Sequence, residues 1–116
     1  MLQGLAAYAR GEAFDAHEAW EPAWMGTHDG AERALIQGLI KLAAADAHGG
    51  RGNPRGVARN LTGALDRLRS AAIAGATTAP GVVIDLAALI DAAAARLVRA
   101  DRGETTASID IPWRPA

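Results

Sequence analysis

The chain has 116 residues, of which 50% are hydrophobic and 22% are charged; this size and composition predict one globular domain and exclude a disordered or low-complexity chain. Because 12 basic and 13 acidic residues nearly cancel, the charge provides no basis for binding nucleic acid or a membrane surface. Cysteine is absent, which excludes disulfide scaffolds, cysteine-based metal modules and thiol catalysis.

Hydrophobic spacing and helix-end signals predict five helices. In chain order they cover about residues 2–10, 12–25, 29–48 and 54–72, and a fifth starts near residue 86 and ends before Gly103. Pro22 lies inside the second pattern and predicts a kink or a break there. Alanine, the strongest helix former, fills 29 positions and is small enough for helices to approach closely. We therefore expect an all-α fold, an antiparallel bundle or a short helical superhelix, with the third helix at its centre.

Two helix starts carry explicit capping signals. Asp29 followed by Glu32 is typical of an N-cap with its capping-box partner, and Asn53 followed by Pro54 is typical of an N-cap before a first-turn proline. The segment from residue 75 to 81 is rich in Thr, Pro and Gly and is predicted to be a loop.

The predicted helical domain covers residues 1–103, and residues 104–116 form a tail without helical periodicity. The tail contains Ile109, Ile111 and Trp113 among prolines, which favours an extended segment packed on the bundle. We expect Trp113 to be its anchor; the alternative is a free linear motif for a partner.

The second helix carries the most informative residues. One arc of about 100° of its helical wheel contains five side chains: Phe14, His17, Glu21, Trp24 and Met25. This spacing predicts a core-facing side that includes a histidine and a carboxylate. Because an unpaired buried carboxylate destabilises the folded state by several kcal/mol, we expect Glu21 to have a partner. The nearest candidate is His17, one helical turn earlier. Trp20 lies off this arc and is either an extra core contact or part of an interface.

The third helix supplies a second polar stripe. Gln37, Lys41 and His48 lie within roughly 40° of one another on its helical wheel, and leucines occupy the opposite side. We hypothesise that this stripe faces His17 and Glu21.

Three separated segments form a longer motif: Phe14-x-Ala-His17-Glu18-x-x-Glu21-x-x-Trp24, then Gln37-Gly38-Leu39-Ile40, then His48 with Gly52-Asn53-x-x-Gly56. Over about residues 5–70 the pattern resembles the bacterial and archaeal domain of unknown function 309 family. The resemblance implies a small, all-helical cytosolic protein without an established activity. It places eight residues on the family's motif positions: His17, Glu21, Trp24, Gly38, Leu39, His48, Gly52 and Asn53.

Three interpretations of the polar residues stay open. His17, Glu21 and His48 would supply two imidazoles and one carboxylate, the ligand set of several zinc and non-haem iron sites, so a divalent metal is one candidate cofactor. A metal-free site would pair Glu21 as base with His17 as its orienting partner, and Glu18 or His48 would act as the acid. A structural network would bond His17 to Glu21 and use His48, the Trp24 indole and Asn53 to fill the remaining donors and acceptors.

We favour a protein-binding or self-associating module built on a buried His/Glu/Trp network. The alternative is a metal-binding protein or metal-dependent enzyme using His17, Glu21 and His48, so the sequence does not decide whether this is an enzyme. The candidate site residues are His17, Glu18, Glu21, Trp24, Gln37, His48 and Asn53. No apolar stretch approaches the roughly 20 residues of a membrane span and no secretion signal is recognised, so we expect a cytoplasmic protein whose partner is another protein or a second copy.

Overall fold

The computed structural model describes all 116 residues and contains five helices and a small sheet. The helices are α1 Leu2–Ala9, α2 Ala13–Gly26, α3 Gly30–Gly50, α4 Pro54–Ile73 and α5 Leu86–Asp101. Three strands of two or three residues, β1 Thr78–Ala79, β2 Val82–Ile84 and β3 Trp113–Pro115, form an antiparallel sheet in the order β1-β2-β3. The fold is therefore essentially all-α, as predicted. None of its helices combines the length and apolar character that crossing a membrane requires.

Both predicted caps are present. The backbone N–H of Glu32 donates to Asp29 Oδ1 at 2.9 Å at the start of α3. At the start of α4, the backbone N–H of Gly56 donates to Asn53 Oδ1 at 3.0 Å. Each cap satisfies a helix N–H that has no partner within the helix, which fixes where α3 and α4 begin.

Helix α3 is central, packing against α2, α4 and β1. It approaches α4 closely at Gly38, where an added Cβ would lie 2.6 Å from Leu68 Cδ2. The buried leucines of both helices meet around this point: Leu35, Leu39 and Leu42 from α3, and Leu61, Leu65 and Leu68 from α4. The missing side chain of Gly38 is thus what allows α3 and α4 to pack this closely.

The predicted core-facing side of α2 is wrong. Phe14 and Met25 are 74% and 63% exposed, whereas Ala16 and Trp20 are fully buried. The Trp20 ring packs on Gly4 of α1, and its centroid lies 6.0 Å from that of Tyr8. Trp20 is therefore a core contact. The buried side of α2 is the side on which Trp20 lies beside the small residue Ala16.

The structure also decides two local predictions. Helix α2 is continuous through Pro22, so of the predicted kink or break the break is absent. The segment predicted as a loop contains β1 and the turn of the β1–β2 hairpin, where Pro80 is followed by Gly81 with a φ of +81°. Proline followed by a positive-φ glycine is the pattern of a type II turn, so the turn residues that suggested a loop close a short hairpin instead.

The chain after α5 is attached by β3 and by residues before it. Strand β3 pairs with β2, with Trp113 opposite Ile84. Trp113 is 41% exposed, and Ile111 is the buried hydrophobic residue of this segment, so Trp113 is not the anchor. Ser108 donates to Asp46 Oδ2 at 2.6 Å, which adds a polar attachment to α3.

Candidate functional site

A polar cleft of about 110 Å³ lies between α2 and α3. Six side chains line it: His17, Glu21 and Trp24 from α2, and Gln37, Ile40 and Lys41 from α3. Both groups have the three- and four-residue spacing that places side chains on one face of a helix. The hypothesis that the stripe on α3 faces the pair on α2 is therefore correct for Gln37 and Lys41.

Three potential metal ligands lie together on α2, and two of them, His17 and Glu21, line this cleft. His17 Nδ1 is 3.8 Å from Glu21 Oε2 and 4.0 Å from Glu18 Oε1. One ligand atom from each residue can be chosen so that all lie within 4.8 Å of one another. Tetrahedral ligand atoms about 2.1 Å from a zinc ion lie about 3.4 Å apart, so small side-chain rotations would bring these three to coordination distance. All three side chains are about half exposed.

Trp24 lines the cleft and carries an unused hydrogen-bond donor. Its indole Nε1 is buried and has no hydrogen-bond partner. Arg33 holds the ring in place: the guanidinium carbon lies 4.2 Å from the centroid of the ring, and Nη1 donates to the Trp24 backbone oxygen at 3.0 Å. A buried donor without an acceptor is uncommon in proteins. The unpaired indole N–H of Trp24 is therefore a candidate donor to a bound ligand or water.

Two side chains from α3 form the opposite wall. Gln37 Oε1 accepts a hydrogen bond of 2.8 Å from Arg67 Nε of α4, so its Nε2 amide group is the part left to donate. The stem of Lys41 packs at Gly63 of α4, where an added Cβ would lie 2.9 Å from the lysine Cδ. Close approach to α4 thus positions both side chains.

His48 and Asn53 lie away from this cleft. His48 is seven residues beyond Lys41 on α3, about 10 Å further along the axis, and its Nδ1 is 3.1 Å from Asn53 Nδ2. Gly56 approaches closely, since an added Cβ there would lie 2.5 Å from His48 Nδ1. These residues join the end of α3 to the start of α4. The structure therefore does not bring His48 to His17 and Glu21.

The predicted buried network is divided in two by this arrangement. His17 and Glu21 face the half-exposed cleft, whereas His48 and Asn53 form the turn between α3 and α4. The Trp24 indole joins neither pair by a hydrogen bond. The reason is the orientation of α2, which buries Trp20 and turns the His17 side outward.

The supporting residues Arg33 and Arg67 could not be predicted from the sequence. Both bond across the fold, to the backbone of α2 and to the amide of Gln37, and sequence spacing within one helix does not reveal such partners. Lys41 carried a signal, since it is the chain's only lysine beside 11 arginines.

A family model described as a domain of unknown function (DUF309) matches residues 1–60. The chain belongs to this family. The matched part covers α1, α2, α3 and the start of α4, so it includes every residue that lines the cleft. The family resemblance drawn from the motif is thereby confirmed. The curated proteins and the solved structures contain no match to this chain.

Proposed function

We propose that this protein binds a divalent metal ion through His17, Glu18 and Glu21 of α2, beside the cleft that His17 and Glu21 line. The observation that supports the proposal is the clustering of one imidazole and two carboxylates within 4.8 Å. Nitrogen and oxygen ligands of this kind suit Zn²⁺, Mn²⁺ or Fe²⁺.

The position of the cluster also favours a site open to a second ligand. Three protein ligands leave at least one coordination position of the metal free, and the adjoining cleft has room for a group of a few heavy atoms. A metal with an open position polarises a bound oxygen or lowers the pKa of a bound water. The arrangement thus supports metal-assisted chemistry on a small ligand as well as metal binding alone.

Calorimetric titration of chelator-treated protein with Zn²⁺ and with Mn²⁺ tests the proposal. We expect one site per chain, lost in His17→Ala and in Glu21→Gln. His28→Ala is the matched control, because His28 lies in the exposed segment between α2 and α3 and is outside the cluster. Circular dichroism of each variant verifies that loss of binding is not loss of fold.

His48→Ala decides between the two ligand sets. We expect this variant to bind metal with unchanged stoichiometry, because its imidazole contacts Asn53. Loss of the metal from a folded His48→Ala protein would support the set of His17, Glu21 and His48. Absence of stoichiometric binding by the unmodified protein would reject both sets.

Self-association is a second candidate function, favoured by the outward face of α2. Phe14 and Met25 are its exposed hydrophobic residues, and Glu18 and Glu21 lie between them. The spacing of these four residues is symmetric about the middle of the helix. An antiparallel, two-fold pairing of α2 with a second copy would therefore place Phe14 against Met25 and Glu18 against Glu21 of that copy.

This pairing would bring carboxylates together, so we expect it to require a bound cation. Light scattering after size exclusion, with and without Zn²⁺, measures the mass. A zinc-dependent dimer that is abolished by Phe14→Ser would support self-association; a monomer under both conditions would reject it. Ile73→Ser is the control, since Ile73 is even more exposed than Phe14 but lies at the end of α4.

A further inference from the structure

We propose that the cleft between α2 and α3 binds a small oxyanion, a carboxylate or a phosphate group, through Lys41, Gln37 and Trp24. The inference rests on the proposed function, because it names the class of ligand that would occupy the cleft beside the metal. It follows from the balance of hydrogen-bond donors and acceptors around the cavity.

Trp24 supplies the first donor. An indole N–H can only donate, and Nε1 of Trp24 is buried without an acceptor. Leaving such a group unpaired disfavours the folded state unless a ligand or water accepts its hydrogen bond. The Trp24 ring lines the cleft and also lies beneath the Arg33 guanidinium, so a small rotation of the ring, rather than a large rearrangement, would present the N–H to a ligand.

Gln37 supplies the second donor. Its carbonyl oxygen is already used by Arg67 Nε at 2.8 Å, and Arg67 Nη1 is held by Asp66 Oδ2 at 2.7 Å. This chain of contacts sets which end of the amide is free. The Nε2 group, which has two N–H bonds, is the end that remains available to the cleft.

Lys41 supplies the charge. It forms no ion pair or hydrogen bond with any other residue, although it is partly buried and lines the cavity. An ammonium group has three donors and no acceptor capacity. It is also the only lysine of the chain, in a sequence that otherwise uses arginine for positive charge.

Donors therefore outnumber acceptors around the cavity. The acceptor among the lining side chains of α2 is the Glu21 carboxylate, which lies 3.8 Å from His17. Glu21 would repel an anion, and a cation bound to His17, Glu18 and Glu21 would offset that charge. A volume of about 110 Å³ equals the space of three to four water molecules, so it suits a small anion or the anionic end of a larger molecule.

Nuclear magnetic resonance provides a site-specific test. Reductive methylation with isotope-labelled formaldehyde marks two amines, Lys41 and the N-terminus, and preserves their charge. The indole resonance of Trp24 gives a second probe, and that of Trp113, which lies in β3 and does not line the cleft, gives an internal control. Inorganic phosphate and acetate are titrated separately into zinc-loaded and zinc-free protein at constant ionic strength.

We expect saturable shifts of the Lys41 and Trp24 resonances with at least one of the two anions. A stronger response to phosphate would indicate a tetrahedral ligand group, and a stronger response to acetate a planar carboxylate. Calorimetry of the unmethylated Lys41→Met variant should show binding weakened by about tenfold or more, as for loss of a charged hydrogen bond. Arg99→Gln removes the same charge from the exposed side of α5 and should bind like the parent protein.

The possible failures are distinguishable. Protein that binds zinc but shows no saturable response to either anion would overturn this inference and leave the proposed function standing. Anion binding to protein that takes up no zinc would overturn the proposed function and retain the oxyanion site. If Lys41→Met and Arg99→Gln weakened anion binding equally, the loss would come from the change in net charge and not from a site at Lys41, which would overturn the inference.

Discussion

Arg96 of α5 donates from Nη1 to Asp46 Oδ1 of α3 at 2.6 Å, and the arginine side chain is almost fully buried. The same guanidinium donates from Nε to Thr106 Oγ1 at 2.9 Å. Ser108 completes the arrangement by donating to the second oxygen of Asp46. This network joins α3, α5 and the segment after α5 without any residue of the cleft.

Arg96→Ala should lower the free energy of unfolding by about 3–5 kcal/mol, because it leaves the Asp46 carboxylate in a largely buried position without its partner. Urea unfolding followed by circular dichroism measures the change. Arg99→Ala, on the exposed side of the same helix, should change stability by no more than about 0.5 kcal/mol. Similar losses of unfolding free energy in both variants would mean that the buried Arg96–Asp46 pair stabilises the fold no more than an exposed arginine does.

Tyr8 should make the protein sensitive to alkaline pH. Burial chiefly, with the nearby Asp46 carboxylate, raises the pKa of the Tyr8 phenol well above its ordinary value near 10. The phenol donates to the backbone oxygen of Ile109 at 2.8 Å, which also favours the protonated form. Because the folded state holds this proton more tightly, its contribution to stability is complete below about pH 10 and is lost as the pH rises above that value.

Unfolding free energies measured near neutral pH and above about pH 10 test this prediction. Tyr8→Phe should be less stable than the parent near neutral pH by about 1 kcal/mol, the value of a typical hydrogen bond, and should lose less stability at high pH. The chain has one tyrosine, so tyrosinate absorbance reports on Tyr8 directly. Titration of the folded protein near pH 10 would contradict the predicted shift.

Gly38→Ala should destabilise the protein by about 1–3 kcal/mol, since the new methyl group would overlap Leu68 and force α3 and α4 apart. Gly30→Ala is the control, because nothing lies within 4 Å of the position of its Cβ. Alanine at that position should be neutral or mildly stabilising for the helix. The two melting temperatures, measured by calorimetry, should move in different directions or by clearly different amounts.

Asn53→Ala should lower the free energy of unfolding by about 1–2 kcal/mol, because it removes the cap of α4 and the contact with His48. Zinc affinity should be unchanged in the folded variant, because the turn between α3 and α4 is separate from the cleft. Thermal melts with and without zinc measure both quantities. If the Asn53→Ala variant kept its stability but lost zinc binding, His48 and Asn53 would have to be part of the metal site, contrary to this prediction.

Local signals determined much of the fold. The caps Asp29 and Asn53, the first-turn Pro54 and the end of α5 before Gly103 act over a few residues, so the sequence alone predicted the five helices and the all-α class. The motif shared with the family likewise depends on residue types at short spacings. Helical spacing also placed Gln37 and Lys41 on one face of α3, whereas only the packing of α2 on α3 brought that face to His17 and Glu21.

The tertiary structure decided which side of each helix is buried. The wheel of α2 contains two aromatic sides, and periodicity could not show that Trp20 packs on Gly4 while Phe14 faces outward. It also decided the partners of buried charges, because Arg96 and Asp46 are 50 residues apart in the chain. The physical reason is that burial and pairing depend on neighbours brought together by packing, whereas caps and helical spacing depend on residues adjacent in sequence.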